Sequence, residues 1–303
     1  MRFDVTILGS SSATPIYNRN PTSQALNINE RVYLIDCGEG TQQQMLRFDV
    51  KPGKIDHIFI SHLHGDHYLG LIGLLSSMHL NGRKKPMKLF GPPDLIKIIN
   101  VHFEYSWTTL HYDIEFYPLQ TDRSEVILDN NDLTVETIIL NHRIPCTGFV
   151  FRQKKPLLKL DAEQLEKYQV DRSQFFNLKK GEDLITDQGE NIPNEILTIK
   201  PEEPKSYAYC SDTLAGDEYL PQIQKVSLLY HEATFMQDLL LRAQETHHTT
   251  ALQAGEIAKK ADVKKLLIGH FSARYKTLEG LLQEARTVFP ETELAIEGKV
   301  FLV

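Results

Sequence analysis

Residues 61–70 read SHLHGDHYLG. Within six positions the stretch places His62, His64, Asp66 and His67 ahead of a small, apolar run. Crowding imidazoles gains a fold nothing by itself, since burial and mutual repulsion disfavour their charged forms. The same crowding suits Zn²⁺, whose bonds to imidazole and carboxylate are about 2.0–2.2 Å long. Convergence of these side chains requires a tight backbone turn, which Gly65 permits. Four donors on one loop overfill a tetrahedral site that keeps a water. The pattern therefore predicts two ions that share the loop and draw further ligands from elsewhere.

The surrounding segments say where those ligands come from. HIFI, residues 57–60, is a short apolar run ending at Ser61, which puts the stretch in the loop after a strand, and LGLIGLLSSMHL continues with helical spacing. RFDVTIL and RVYLID are strand-like, and CGEG opens a helix at TQQQMLRF. EVILDNNDLTVETIIL reads as a hairpin turned at Asp129, Asn130, Asn131 and Asp132, and its second strand runs into Asn141-His142. SYAYCSDT is a strand ending near Asp212, VSLLYHEAT one ending near His231, and KKLLIGHF one that delivers His270. TTALQAGEIAKKADV is a helix capped by Thr249 or Thr250, and LEGLLQEARTVF closes with a helix stopped by Pro290. His142, Asp212 and His270 each follow a strand, and ligands at several strand ends meet at one edge of a sheet. Asp212, with two carboxylate oxygens, suits a bridge between two cations. The isolated His57, His79, His102, His111 and His247 read as surface or satisfied core histidines.

Composition narrows the class. At 303 residues the chain is long enough for one large domain or two small ones, and 41% hydrophobic with 24% charged content is ordinary for a globular protein. No apolar run approaches the roughly 20 residues that span a bilayer. The start, MRFDVTILGSSS, lacks the basic and apolar regions of a signal peptide, so the expected location is the cytoplasm, with no membrane partner. Cys37, Cys146 and Cys210 lie far apart without a CxxC and read as free, partly buried thiols in a reducing compartment. The formal charge of −7 argues against a protein that grips nucleic acid over its whole surface. It leaves room for local basic patches at RKKPMK (83–88), Lys154-Lys155, LKK (178–180), Lys259-Lys260 and Lys264-Lys265.

From about Arg152 to Lys205 the texture changes to Lys, Glu, Asp and Gln, broken by Pro156, Pro193, Pro201 and Pro204. Asp161 with Gln164 makes a capping box for DAEQLEKY, and TDQGENI reads as a turn. Too little apolar periodicity is present for an independent core. Residues 152–205 are therefore expected to form an inserted flexible arm on a single domain spanning 1–303.

SHLHGDH resembles the HxHxDH signature of the metallo-β-lactamase superfamily, which implies an α+β fold, an αββα sandwich with metals held at the strand ends. PIYNRNPTS, LIDCGEGTQQQ, SHLHGDH, YCSDT, YHEATF, THHTTA and GHFSARY, in that order, resemble the motifs of one family within it over essentially the whole chain. That family is ribonuclease Z, the tRNA 3′-endonucleases. The resemblance implies a zinc-dependent endoribonuclease that hydrolyses the phosphodiester 3′ of the discriminator nucleotide in precursor tRNA, working as a homodimer.

It further implies two Zn²⁺ per subunit, with Mn²⁺ or another divalent ion as the alternative. One ion falls to His62, His64 and His142, the other to Asp66, His67 and His270, and Asp212 bridges them. Asp66 becomes the general base, and His248 with Glu232 the pair that protonates the leaving 3′-oxygen. The residues alone do not separate His247 from His248; the resemblance favours His248. Asp36 takes the part of a carboxylate orienting a ligand histidine, which is compatible with a plain turn former. The arm becomes a tRNA-binding exosite through Lys179 and Lys180, while Arg19, Asn20 and Arg274 are further RNA-contact candidates near the metals.

Two departures stand against the family pattern. VDRSQFFNLKKGE lacks the Gly-Pro pair common in the family's arms, and Tyr17 stands where an early-loop lysine is common. These departures bear on the arm's grip and on discrimination at the RNA 3′ end, and leave the metal chemistry untouched. Two rival readings remain. A superfamily hydrolase of small phosphodiesters or other esters needs no basic arm. A non-catalytic RNA-binding relative is disfavoured because all seven ligand positions are filled.

Overall fold

Burial along the strands decides the layering. The computed structural model describes residues 2–186 and 188–303; Met1, and Asp187 inside the expected TDQGENI turn, lie outside the described residues. Strands β1 (Phe3–Gly9), β2 (Ser23–Ile28), β3 (Arg31–Ile35), β4 (Ile55–Phe59), β5 (Met87–Gly91) and β6 (Ile114–Pro118) come first. They are followed by β7 (Val126–Asp129), β8 (Leu133–Leu140) and β9 (Cys146–Gln153). Four two-residue strands, β10 (Lys159–Leu160), β11 (Leu184–Ile185), β12 (Asn191–Ile192) and β13 (Thr198–Ile199), belong to the inserted segment. The chain then forms β14 (Ser206–Cys210), β15 (Leu228–Glu232), β16 (Leu266–Gly269), β17 (Thr292–Leu294) and β18 (Val300–Leu302).

Two seven-stranded sheets result, in the orders β18-β1-β2-β3-β4-β5-β6 and β17-β16-β15-β14-β9-β8-β7. Strands β3 to β6 run parallel, as do β14 to β17. Parallel neighbours bring their carboxyl ends to one edge, which is where a site can be assembled.

Successive residues of a strand face opposite ways, so each sheet has two apolar faces to cover. The inner faces meet through aromatics. Phe59 lies edge-on to Phe149 at 5.4 Å and to Phe151 at 5.3 Å. Tyr207 donates to Gln24 and Tyr209 to Asp36 across the layer. On the outer face of the first sheet, Leu34, Ile58 and Leu89 pack against Met45, Leu74, Leu75 and Ile99 from the helices Thr41–Arg47, Leu71–Leu80 and Leu95–Tyr105. On the second, Ala208, Leu229 and Ile268 pack against Ala254, Ile257 and Ala258 of the helix Ala251–Lys260 and against Leu281 and Ala285 of Glu279–Arg286. The architecture is an αββα sandwich.

Thr250, not Thr249, caps the helix Ala251–Lys260, in a capping box closed by Gln253. The final helix ends at Arg286, short of Pro290. Gly65 opens one helical turn, Gly65–Tyr68, with an ordinary negative φ, so its left-handed freedom is not what the loop uses. A side chain there would instead strike Leu69 at 2.7 Å. Among the described residues no helix is long and apolar enough to cross a membrane.

Residues 130–133 and 152–204 separate as a second compact unit. The unit has a small core of Leu165, Leu178, Leu184, Ile192 and Leu197, where none was expected. Each of these five sits on a different short element, so no single stretch shows a period. Asn194 ties the unit together, its Nδ2 donating to the carbonyls of Leu178 at 2.8 Å and Glu182 at 2.7 Å. Asp161 caps the helix Ala162–Lys167 by accepting from the N–H groups of Glu163 and Gln164.

Candidate metal centre

Six strand ends supply the site. Asp36 follows β3, His62 lies just beyond β4, His142 beyond β8, Asp212 beyond β14, Glu232 ends β15, and His270 follows β16. Asp36, Asp212 and His270 leave their strands with φ of 54°, 57° and 57°. Left-handed backbone at a non-glycine residue costs about 1–3 kcal/mol and persists where the surroundings fix it. The histidine loop is seated by close backbone approach: Cys37 N–H donates to His67 O at 2.7 Å, and Gly70 N–H to Cys37 O at 2.9 Å. A Cβ on Gly70 would lie 2.1 Å from Gly38 O, so this contact requires glycine.

The seven expected ligand residues converge in two groups. In the first, His64 Nδ1 lies 3.0 Å from His62 Nε2 and 3.1 Å from His142 Nε2. Asp212 Oδ2 is 3.6 Å from both His62 Nε2 and His142 Nε2. In the second, Asp66 Oδ2 is 3.5 Å from each of His67 Nε2 and His270 Nε2. Asp212 presents its other oxygen, Oδ1, to this group, 3.3 Å from His67 Nε2 and 3.1 Å from His270 Nε2.

These spacings pass a simple fit test. Bonds of about 2.0–2.1 Å to a tetrahedral ion put its ligand atoms roughly 3.3 Å apart. His67 Nε2 and His270 Nε2 are buried without a hydrogen-bond partner. Burial opposes protonation of His67, but Asp212, Asp66 and Asp36 outweigh it and push the ring well up, marking a place where positive charge is favoured. Burial pushes His62 well down and His142 to about 4, which keeps both imidazoles neutral and able to ligate. The donor set fits a divalent metal.

For His62, His67, His142 and His270 the opposite ring nitrogen is occupied, which fixes the tautomer. His67 Nδ1–H donates to Asp36 Oδ2 at 2.7 Å, and the same carboxylate accepts from Ser61 N–H and Oγ–H at 2.8 Å and from Tyr209 O–H at 2.6 Å. His62 Nδ1–H donates to Ser61 Oγ at 3.0 Å, His142 Nδ1–H to His247 O at 3.0 Å, and His270 Nδ1–H to Thr234 Oγ1 at 2.9 Å. Asp66 Oδ2 accepts from Ala13 N–H at 2.8 Å.

Beside the second group lies a buried ion pair. His248 Nδ1–H donates to Glu232 Oε1 at 2.9 Å, and Thr213 N–H donates to the same oxygen at 2.7 Å. Burial opposes protonation of His248, but the Glu232 carboxylate outweighs it and carries the imidazole up to about 9. Glu232 is itself held below the usual carboxylate range by His248, against its own burial. Thr234 O–H donates to the other Glu232 oxygen and so links this pair to His270. The adjacent histidines part company: His247, at φ 57°, turns to Asn141 Oδ1 at 3.3 Å.

The remaining expected residues are scattered. Arg19 is half-buried, donating to Tyr275 O at 2.9 Å. Asn20 binds through its backbone, its N–H donating to Glu297 Oε1 at 2.6 Å. Arg274 is exposed, with its guanidinium 5.8 Å from the Phe235 ring. Lys179 and Lys180 end the helix Phe175–Lys180 of the separate unit, Lys180 stacked on Phe176 at 4.2 Å. Sequence reasoning missed Thr234, although it lies within HEAT, and it missed Ala13 and Glu297. Thr234 stands close to a motif residue in the sequence; a backbone N–H and a carboxylate near the C-terminus carry no such signal.

A family model described as Anti-Pycsar protein Apyc1 matches residues 3–177, which takes in the histidine loop and His142 but stops before Asp212. Ribonuclease Z of Bacteroides thetaiotaomicron is 44% identical over 297 residues, covering 98% of this chain and 94% of the relative. Ribonuclease Z of Cytophaga hutchinsonii is 46% identical over 305 residues, covering 100% and 97%. Human tRNase Z, short form, superposes with a TM-score of 0.72 at 26% identity, over 98% of each chain.

Proposed function

This chain belongs to the ribonuclease Z family, and on that footing we propose that it is an endoribonuclease that hydrolyses the phosphodiester 3′ of the discriminator nucleotide in precursor tRNA and releases the 3′ trailer. One observation carries the chemistry: Asp212 divides its two oxygens between two sets of imidazoles, the arrangement of a bridging carboxylate. We assign two Zn²⁺ per subunit, or Mn²⁺ or another divalent ion in their place. His62, His64 and His142 would hold one, Asp66, His67 and His270 the other, and Asp212 would offer an oxygen to each. When bound, such a pair acidifies water toward neutral pH and polarises a phosphoryl oxygen.

The protein's own groups then move the protons. Asp66 takes the proton of the attacking water as general base, and Ala13 N–H fixes which way its carboxylate points. Water oxygen bonds to phosphorus, the bond from phosphorus to the 3′-oxygen breaks, and the His248 imidazolium gives its proton to that leaving oxygen. Glu232 keeps the imidazole charged and turned. The products are a 3′-hydroxyl on the tRNA and a 5′-phosphate on the trailer. Residues 152–205 act as a tRNA-binding exosite through Lys179 and Lys180, and Arg19, Asn20 and Arg274 serve at the rim. The working form is a cytoplasmic homodimer.

Incubation of the metal-loaded protein with a 3′-extended tRNA precursor, followed by end mapping, tests this. The expected product carries a 3′-hydroxyl at the discriminator; failure to cut at any position, with metals present, overturns the reading. A second reading, hydrolysis of small phosphodiesters or other esters, draws on the fact that every group in the chemistry lies outside residues 152–205. It predicts that a protein lacking those residues keeps its full turnover.

A further inference from the structure

Two clefts flank the ligand groups, and one side chain stands in the wall of both. A cleft of about 290 Å³ is walled by His64 and Asp66, another of about 470 Å³ by His142 and Tyr219, and Arg143 lines each. Arg143 is exposed, and among the described residues its guanidinium has no hydrogen bond or ion pair. Of the other cations, Arg19 donates to Tyr275 O and His248 is paired with Glu232, while Arg274, also exposed, lies 5.8 Å from the Phe235 ring and lines neither cleft.

The backbone beneath Arg143 is held. Asn141 N–H donates to Thr213 Oγ1 at 3.1 Å, Leu214 N–H donates to Asn141 O at 2.9 Å, and His142 is tied to His247 O. Pro145 restricts Ile144 to extended conformations on the other side. An unpaired guanidinium on a held backbone suits an anion that offers two oxygens side by side, as the non-bridging oxygens of a phosphodiester do.

A polymer strand laid along the two clefts with its scissile phosphate over the ligands would bring a neighbouring phosphate past this guanidinium. We propose that Arg143 binds a backbone phosphate adjacent to the scissile one, and that this contact makes the site prefer an RNA strand to an isolated phosphodiester. The proposal rests on the nuclease reading above. It makes Arg143 a substrate-binding residue and assigns it no proton transfer.

The zinc-loaded parent, Arg143→Ala and Arg143→Lys would be compared on a 3′-extended tRNA precursor and on bis(p-nitrophenyl) phosphate. Arg143→Ala should raise KM for the precursor about tenfold with kcat little changed, and should lower the salt dependence of kcat/KM by about one ion. Arg143→Lys should restore the salt dependence, because charge returns, but only part of KM, because the two-pronged contact does not. Hydrolysis of the small diester should be the same in all three. If the parent cuts the precursor and Arg143→Ala matches it in KM and salt dependence, the inference alone falls. If Arg143→Ala loses kcat equally on both substrates, the residue holds His142 in place and the inference falls as well. If the parent hydrolyses only the small diester, the nuclease reading falls and takes the inference with it.

Discussion

At Asp212 one fully buried carboxylate faces two sets of imidazoles, and each of those imidazoles is turned by a different neighbour. Asp36 turns His67, Thr234 turns His270, and the His247 carbonyl turns His142. His248 differs from all of them because its partner is a carboxylate that keeps it charged. A proton donor matters in proportion to how badly the leaving group needs a proton. His248→Ala should therefore lower kcat on precursor RNA about 10²–10⁴-fold, since a 3′-alkoxide leaves poorly. The same change should lower turnover of bis(p-nitrophenyl) phosphate by less than about tenfold, since p-nitrophenolate leaves unprotonated. Parallel rate measurements on the two substrates decide the matter. Equal losses would make His248 a structural support for the centre and remove it from proton delivery.

Between residue and fold lies the loop of residues 10–21, whose order depends on a carboxylate far along the chain. Glu297 Oε1 accepts from Ser10 N–H at 3.2 Å and Asn20 N–H at 2.6 Å, and its other oxygen accepts from Gln44 Nε2 at 2.6 Å. The loop so pinned supplies Ala13 N–H to Asp66. Burial pushes the Glu297 carboxyl from 4.5 up to about 7, against the N–H groups of Asn20 and Ser10. A carboxyl raised on folding favours the folded state while protonated. That contribution is whole below the unfolded value and is lost as pH rises through about 7. Glu297→Gln cannot titrate, so urea unfolding of parent and variant at pH 5 and pH 8 should differ in their pH response by about 2 kcal/mol, the parent losing more at pH 8. An identical response in both proteins would show that Glu297 does not titrate in this range. None of this was legible in PIYNRNPTS or in the chain end. The strands and helices around the ligands were legible, because period-two and helical patterns are local. The second unit's core was not, because its five aliphatics are spread over separate elements.

Across the whole molecule, the ligands come from both sheets: the histidine loop follows β4 in one, while His142, Asp212 and His270 follow β8, β14 and β16 in the other. The sequence marked the donors as strand-end residues, a chemical signal that survives without contact information, but expected them at one edge of a single sheet; the strand orders divide them between two. It could not expose which nitrogen of each ring faces inward, since that depends on partners such as Asp36 and Thr234 arriving from other strands. The same geometry joins metal binding to folding. Two carboxylates and five imidazoles share one largely buried region, and Nε2 of His67 and of His270 has no hydrogen-bond partner in the protein. A cation that binds only the folded chain stabilises it by about 4 kcal/mol when supplied at a thousand times its dissociation constant. Exhaustive chelation should therefore lower the melting temperature by several degrees, and stoichiometric Zn²⁺ should restore it. Calorimetry of the chelated and reloaded protein checks this, with His248→Ala as a control that retains the ligand set and should respond like the parent. An unchanged melting temperature after verified metal removal would mean that the two sheets hold the ligand cluster without help from an ion, and the centre would then contribute to chemistry alone.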